Sequence, residues 1–156
     1  MPLEKIISGG QTGIDRAALD IAIELGISHG GFCPLGRRSE DGMIPLHYNL
    51  IEHDSIEYAE RTHENVLCSN GTLILHSGII SNGTSLTKQF CIQEDKPMMI
   101  INILHNPKSS KLDFNRWLVK KSIQILNVAG PRDNKQGNYE IAREILHELL
   151  CFQKTK

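Results

Sequence analysis

Short apolar runs alternate along the chain with longer segments whose apolar residues recur at helical spacing. Glu4 to Ser8 is the first run, and it passes through Gly9-Gly10-Gln11-Thr12-Gly13 into a helix expected over Ile14 to Leu25. There Arg16, Asp20 and Glu24 share one polar face, while Ala17, Ala18, Leu19, Ile21, Ala22, Ile23 and Leu25 fill the rest. A helix with that much apolar surface presses on a sheet, and Gly26 supplies its stop. Gly31 to Pro34 reads as a second strand and Tyr48 to Glu52 as a third, either side of the polar loop Gly36–Gly42. A helix follows over Ser55 to Ser69, ended by Asn70-Gly71, then a buried strand over Thr72 to His76 and a turn over Ser77 to Thr84. The remainder reads as helix Thr84–Glu94, strand Pro97–Leu104, helix Lys108–Lys121, strand Ile123–Ala129 and helix Asn138–Phe152. Strands alternating with helices in this way predict an α/β fold with a mostly parallel sheet flanked by helices.

Composition narrows the classes. A chain of 156 residues matches one compact domain spanning 1–156 and hides about 70% of its unfolded surface without staples. The net charge is -1, from 17 Lys+Arg against 18 Asp+Glu, so nothing drives it electrostatically toward nucleic acid or anionic membrane. Aromatics at 5% argue against a stacking platform for single strands. The longest apolar stretch, Pro97 to Leu104, contains Asn102 and falls short of the roughly 20 residues a membrane span needs. The opening residues lack the charged, apolar and small-residue series of a secretory signal. Cys33, Cys68, Cys91 and Cys151 lie far apart, without the close pairing of zinc or redox sites. The expectation is four free thiols in a reducing cytoplasm and no protein-ligated metal.

In open parallel sheets ligands bind beyond the carboxyl ends of the strands, and three such exits are rich in small, donor-bearing residues. The first is Ser8, Gly9, Gly10, Gln11, Thr12 and Gly13. Glycine lets a backbone approach an anion closely, and the helix that follows offers unpaired N–H groups and a partial positive charge. Thr12 adds a hydroxyl and Arg16 a formal charge. Plainer roles also fit: a tight turn needing glycine for geometry, Asp15 complementing the helix dipole, and Arg16 pairing with Asp20 at i,i+4. The segment is G-G-x-x-G, with Ser8 where the dinucleotide fingerprint has its first glycine, and no Gly-Lys-Ser/Thr follows, which disfavours an NAD or ATP-hydrolase loop.

The second exit carries Ser81, Asn82, Gly83 and Thr84, richer than a helix cap needs. The third is Asn127 to Asp133, where a rigid Gly130-Pro131 turn places Arg132 to clamp an oxyanion or leaves it solvated. Arg37 and Arg38, followed by Glu40-Asp41, form either a mobile cationic lid or a self-neutralised surface loop. No G-x-S-x-G elbow appears, and the seven histidines are scattered without a motif; catalytic residues are not assigned.

Several stretches, in order along nearly the whole chain, carry a family resemblance: Ile6 to Asp20, His29 to Pro34, Gly36 to Gly42, Tyr58 to Thr62, Gly71 to Leu75, Gly83 to Thr87 and Leu126 to Arg132. They resemble the putative molybdenum carrier family, within the SLOG group of Rossmann-like nucleotide-binding domains. The resemblance implies a single three-layer Rossmann-like domain. It also implies a polyanionic ligand, molybdenum cofactor (molybdopterin, a pterin bearing a phosphate and an oxo-metal dithiolene) or a nucleotide. LOG-type members of the group cleave nucleoside monophosphates with a P-G-G-x-G-T-x-x-E motif. Gly83-Thr84 match it, but Thr87 stands at the glutamate position, and a hydroxyl is a poor general base near neutral pH.

The leading expectation is a cytoplasmic protein holding a phosphorylated nucleotide-like or pterin ligand on Ser8 to Gly13, Arg16, Arg37, Ser81 to Thr84, Gly130 and Arg132. Phosphoribohydrolase activity is the alternative. A third is a ligand-sensing homo-oligomer, dimer or tetramer, paired through the helix around Ile56 to Leu67 or through Ile141, Ile145, Leu146, Leu149 and Leu150.

Overall fold

A computed structural model describes residues 3–78, 82–105 and 108–151. Its five parallel strands are β1 (Lys5–Ile7), β2 (Ser28–Gly30), β7 (Gly71–His76), β8 (Met98–Asn102) and β9 (Ile125–Ala129), in the spatial order β2-β1-β9-β7-β8. Short pairs complete the strand set: β3 (Phe32–Cys33) with β6 (Ile51–Glu52), and β4 (Arg38–Ser39) with β5 (Gly42–Met43). The helices are α1 (Ile14–Leu25), α2 (Tyr58–Leu67), α3 (Asn82–Gln93), α4 (Lys108–Lys120) and α5 (Asn138–Leu150). Ser81 and Phe152 lie outside the described residues.

Side chains alternate across a strand, and the two faces of this sheet differ in character. Ile6, Leu73, Leu75, Leu126 and Val128 join one buried cluster with Ala17, Ile21 and Leu25 of α1, Phe114 and Leu118 of α4, and Ala142, Leu146, Leu149 and Leu150 of α5. Leu146, Leu149 and Leu150 of the last helix, with Ile145, are therefore core, and Ile141 is partly buried against it. On the opposite parity Thr72 bonds Cys91 of α3 and receives the Asn127 amide at 3.3 Å, beneath the packed pair α2 and α3.

Two local readings of the sequence change. The strand expected over Gly31 to Pro34 is two pieces, because β2 pairs with β1 while Phe32–Cys33 pairs with β6. Gly31 makes the break: its φ is 124°, and a Cβ there would collide with the Ser8 backbone. Arg16 and Asp20 do not pair. Asp20 instead accepts hydrogen bonds from the hydroxyls of Tyr48, at 2.7 Å, and Tyr139, tying α1 to a distant loop and to α5. Burial and that carboxylate push the Tyr139 phenol up to about 12.

No helix among the described residues is long and apolar enough to cross a membrane.

Gly13 and Gly137 make a paired test of crowding against backbone strain. Both have positive φ, 85° and 79°, but a Cβ on Gly13 would sit 2.5 Å from the Asp133 nitrogen and the Pro131 oxygen, whereas nothing lies within 4 Å of one on Gly137. Gly137→Ala is expected to cost about 1 kcal/mol from conformation alone, and Gly13→Ala at least about 2 kcal/mol. Urea midpoints measure both.

Candidate functional site

Moving the last strand to the front of the chain would turn the order β2-β1-β9-β7-β8 into the 3-2-1-4-5 of a doubly wound sheet. The crevice of such a sheet lies where the chain leaves adjacent strands toward opposite faces. Here β9 leads to α5, packed with α1, and β7 leads to α3, packed with α2. A cleft of about 380 Å³ opens at that point, lined by Gln11 and Asp15 from the first exit, Gly83, Thr84 and Thr87 from the second, and Ala129 to Arg132 from the third. Tyr58, Arg61 and Thr62 at the start of α2 form its remaining wall. Three exits thus converge on one cavity.

Three amides of the first exit are engaged by the protein itself. The N–H groups of Gly10, Gln11 and Thr12 donate to Ser8 Oγ, Asp15 Oδ2 and Gln11 Oε1 at 3.4, 3.2 and 3.0 Å. That of Ile14 donates to the Pro131 carbonyl at 3.3 Å. The glycines are equally crowded by protein. The place of a Cβ on Gly9 is filled by the Arg61 guanidinium, one on Gly10 would meet Leu50 at 2.6 Å, and Gly13 abuts the third exit. Ser8 and Thr12 use their hydroxyls inside the same loop system. This loop is a packing hub that presents Gln11 to the cleft, beside Asp15 from the first turn of α1.

The expected arginines divide. Arg16 donates to the Gly10 carbonyl and grips Asp41 and Ser39 at 2.9 to 3.0 Å, which holds the Asp41 carboxyl down to about 2. Arg37 is buried and gives its guanidinium to the carbonyls of Ile44, Pro45, Tyr48 and Leu50. Neither lines the cleft. Arg132 does, as do Gln11, Gly83, Thr84 and Gly130. Asn82 opens α3.

Sequence reasoning missed Arg61, Tyr58 and the role of Asp15. Arg61 Nη1 meets Asp15 Oδ2 at 3.3 Å with both side chains largely buried. Burial pushes the Asp15 carboxyl up, against the opposing pull of Arg61 and the Gln11 amide. The guanidiniums of Arg38, Arg61 and Arg132 lie 5.4, 5.9 and 5.4 Å from the Tyr58 ring centre. Arg132 also pairs with Glu40 at 3.2 Å. The two arginines that line the cleft, Arg61 and Arg132, are thus each tied to a carboxylate. The one signal available in the sequence was the Tyr58 to Thr62 stretch within the family resemblance, which carried no role.

Two buried donors in this wall have no partner among the described residues, Gln11 Nε2 and Arg61 Nε. The Gln11 amide orientation is set, because its oxygen accepts from the Thr12 and Glu40 amides at 3.0 and 2.8 Å. At the start of α3, which lines the same cleft, no described residue lies within 4 Å of a Cβ on Gly83. The set is donor-rich and takes an acceptor.

A family model described as the circularly permutated YpsA SLOG family matches residues 6–150. The chain belongs to that family. Its permutation accounts for the strand order, with the last strand of the chain at the middle of the sheet. The crystal structure of a putative molybdenum carrier protein from Syntrophus aciditrophicus SB is similar, with 43% identity over 96% of each chain and a TM-score of 0.92. Among curated proteins there is no match.

Removing Arg61 leaves a buried carboxylate without its partner. Arg61→Leu is expected to cost about 3 kcal/mol at neutral pH. A carboxyl whose pKa is raised in the folded state destabilises it above that pKa, so the cost should shrink as pH falls and Asp15 takes a proton. The double variant Asp15→Asn/Arg61→Leu should recover much of the loss and flatten the pH dependence of the urea midpoint.

Proposed function

We propose that this member of the SLOG family binds a phosphorylated, nucleotide-like or pterin ligand, its oxyanion seated between the start of α3 and the pair Gln11–Arg61. The observation that carries this reading is the pair of buried, partnerless donors on one wall of the cleft. An unmade buried hydrogen bond costs about 1–3 kcal/mol, and a group bearing only acceptors relieves both. A helix start with open space above Gly83 adds the partial charge that favours an anion, and Arg132 adds a full one. The phosphate of molybdenum cofactor fits this donor set, and the likeness to a protein described as a putative molybdenum carrier supports a molybdenum-bearing cargo. On this reading the partner is a small molecule, not nucleic acid, and the compartment is the cytoplasm.

Gln11→Glu isolates the claim. It keeps an oxygen for the Thr12 and Glu40 amides and replaces the unpartnered donor by an acceptor carrying charge. Calorimetric titration with inorganic phosphate, AMP and molybdenum cofactor should show at least one ligand bound by the wild type and weakened at least about tenfold in the variant. Equal affinities would reject the site.

A second reading, hydrolysis of the N-glycosidic bond of a nucleoside monophosphate, is favoured by Asp15. The Thr87 hydroxyl donates to the Gly83 carbonyl at 3.1 Å, as a helix residue does. A carboxyl reaches the cleft from α1 instead, and its Oδ2 takes both described contacts. If Asp15 serves as the acid or base, AMP or GMP incubated at high protein concentration releases free base by chromatography, and Asp15→Asn abolishes the release. No base from the wild type removes this reading.

A further inference from the structure

A carboxylate is an unexpected lining for a cleft that takes an anion, yet Asp15 borders it at 4% exposure. Both described hydrogen bonds of its side chain fall on Oδ2, from the Gln11 amide at 3.2 Å and from Arg61 Nη1 at 3.3 Å. Among the described residues nothing bonds Oδ1, so that oxygen is left for an occupant of the cleft. The charged groups around Asp15 come from several elements. Arg16, on its own helix, is held by Asp41; Arg61 comes from α2; Arg132, at the exit of β9, is tied to Glu40 of the β4–β5 hairpin. The residues of α3 that border the cleft carry no charge, and no histidine borders it among the described residues.

A fully deprotonated oxyanion presents only lone pairs. Against Oδ1 it sets acceptor on acceptor and charge on charge, at a carboxyl that burial already pushes up and that a second negative charge pushes further. The contact closes only with a proton between the two oxygens, brought by the ligand or taken up by Asp15. Phosphate and its monoesters, whose second pKa is about 6 in a phosphorylated side chain, bring a proton within reach of neutral pH. Sulfate and molybdate bring none. We infer that Asp15 makes the cleft selective for oxyanions that carry a proton, one hydrogen being shared between its Oδ1 and the bound group. This rests on the anion reading above and adds the residue that sorts one oxyanion from another.

Inorganic phosphate and sulfate make the test, because hydrogen phosphate and sulfate share shape and a double negative charge and differ in one proton. Calorimetry at about pH 7.5 and fixed ionic strength should give the wild type phosphate at least about tenfold tighter than sulfate. In Asp15→Asn the side-chain oxygen remains for the Gln11 amide and Arg61, and the amide nitrogen takes the place of Oδ1 as a donor. Sulfate should therefore tighten, and the ratio should fall to about threefold or less. A second measurement needs no variant. Lowering the pH from about 7.5 to about 5.5 loads Asp15 with a proton and should tighten sulfate at least about fivefold in the wild type, which a carboxylate of purely structural role would not do. Equal affinity of the wild type for the two ions, a ratio that Asp15→Asn leaves unmoved, or a sulfate affinity flat with pH overturns the role of Asp15 and leaves the anion site standing. Binding of neither ion overturns the anion site, and the selection falls with it.

Discussion

The cleft exists because the last strand of the chain is held between two strands that precede it. β9 pairs in parallel with β1 on one side and β7 on the other, and the Asn127 amide reaches the Thr72 hydroxyl across the second seam. That insertion carries Ala129 to Arg132 into the space between the first and second exits. It also lets the Pro131 carbonyl accept the first amide of α1, so one exit braces another. Asn127, Gly130 and Arg132 come late in the chain yet occupy its geometric centre. The helices divide accordingly, with α1 and α5 packed together and α2 and α3 packed together, and the crevice lies between the two groups.

Charge in the cleft is arranged by what each arginine is tied to. Arg16 and Arg37 are held by Asp41, Ser39 and backbone carbonyls, and they fasten the β4–β5 hairpin and the loop after it to the body. That fastening sets Glu40, whose amide meets Gln11 and whose carboxylate meets Arg132. The hairpin therefore shapes the cleft without lining it. Arg61 has a different status. It is paired with a carboxyl whose pKa burial pushes up, and its Nε has no partner among the described residues. An anion approaching it competes with Asp15 for the guanidinium, whereas an anion approaching Arg132 competes with the exposed Glu40.

Much of the fold was readable in the sequence wherever a local signal coincided with a tertiary one. The helix over Ile14–Leu25 has the predicted bounds because glycines flank it and its apolar majority meets the sheet on one side and α5 on another. Strand order was not readable, since a run such as Gly71–His76 records burial on both faces but not the identity of its neighbours. The break at Gly31 escaped for a related reason: glycine marks a close approach and does not say to what. Arg61 looked like one more polar residue of an amphipathic helix, because its partner Asp15 lies 46 positions earlier. The Arg16–Asp20 spacing was correct for a helix pair, but two tyrosines from remote segments hold Asp20, and Asp41 offers Arg16 two oxygens.

The same ambiguity decides how the glycine-rich first exit is understood. A G-G-x-x-G turn before a helix has two physical uses: to expose amides to an anion, or to let neighbouring backbone come within van der Waals distance. Here the neighbours are Arg61, Leu50 and the third exit, and the Gly10, Gln11 and Thr12 amides donate to Ser8, Asp15 and Gln11. The motif therefore acts as a joint between the first and third exits, and it sets the orientation of the Gln11 amide. On the reading proposed above the anion sits at the start of α3, where no described residue lies within 4 Å of a Cβ on Gly83. Because the joint fixes both the Gln11 wall and the Pro131–Arg132 wall, one packing arrangement controls the shape of the cleft.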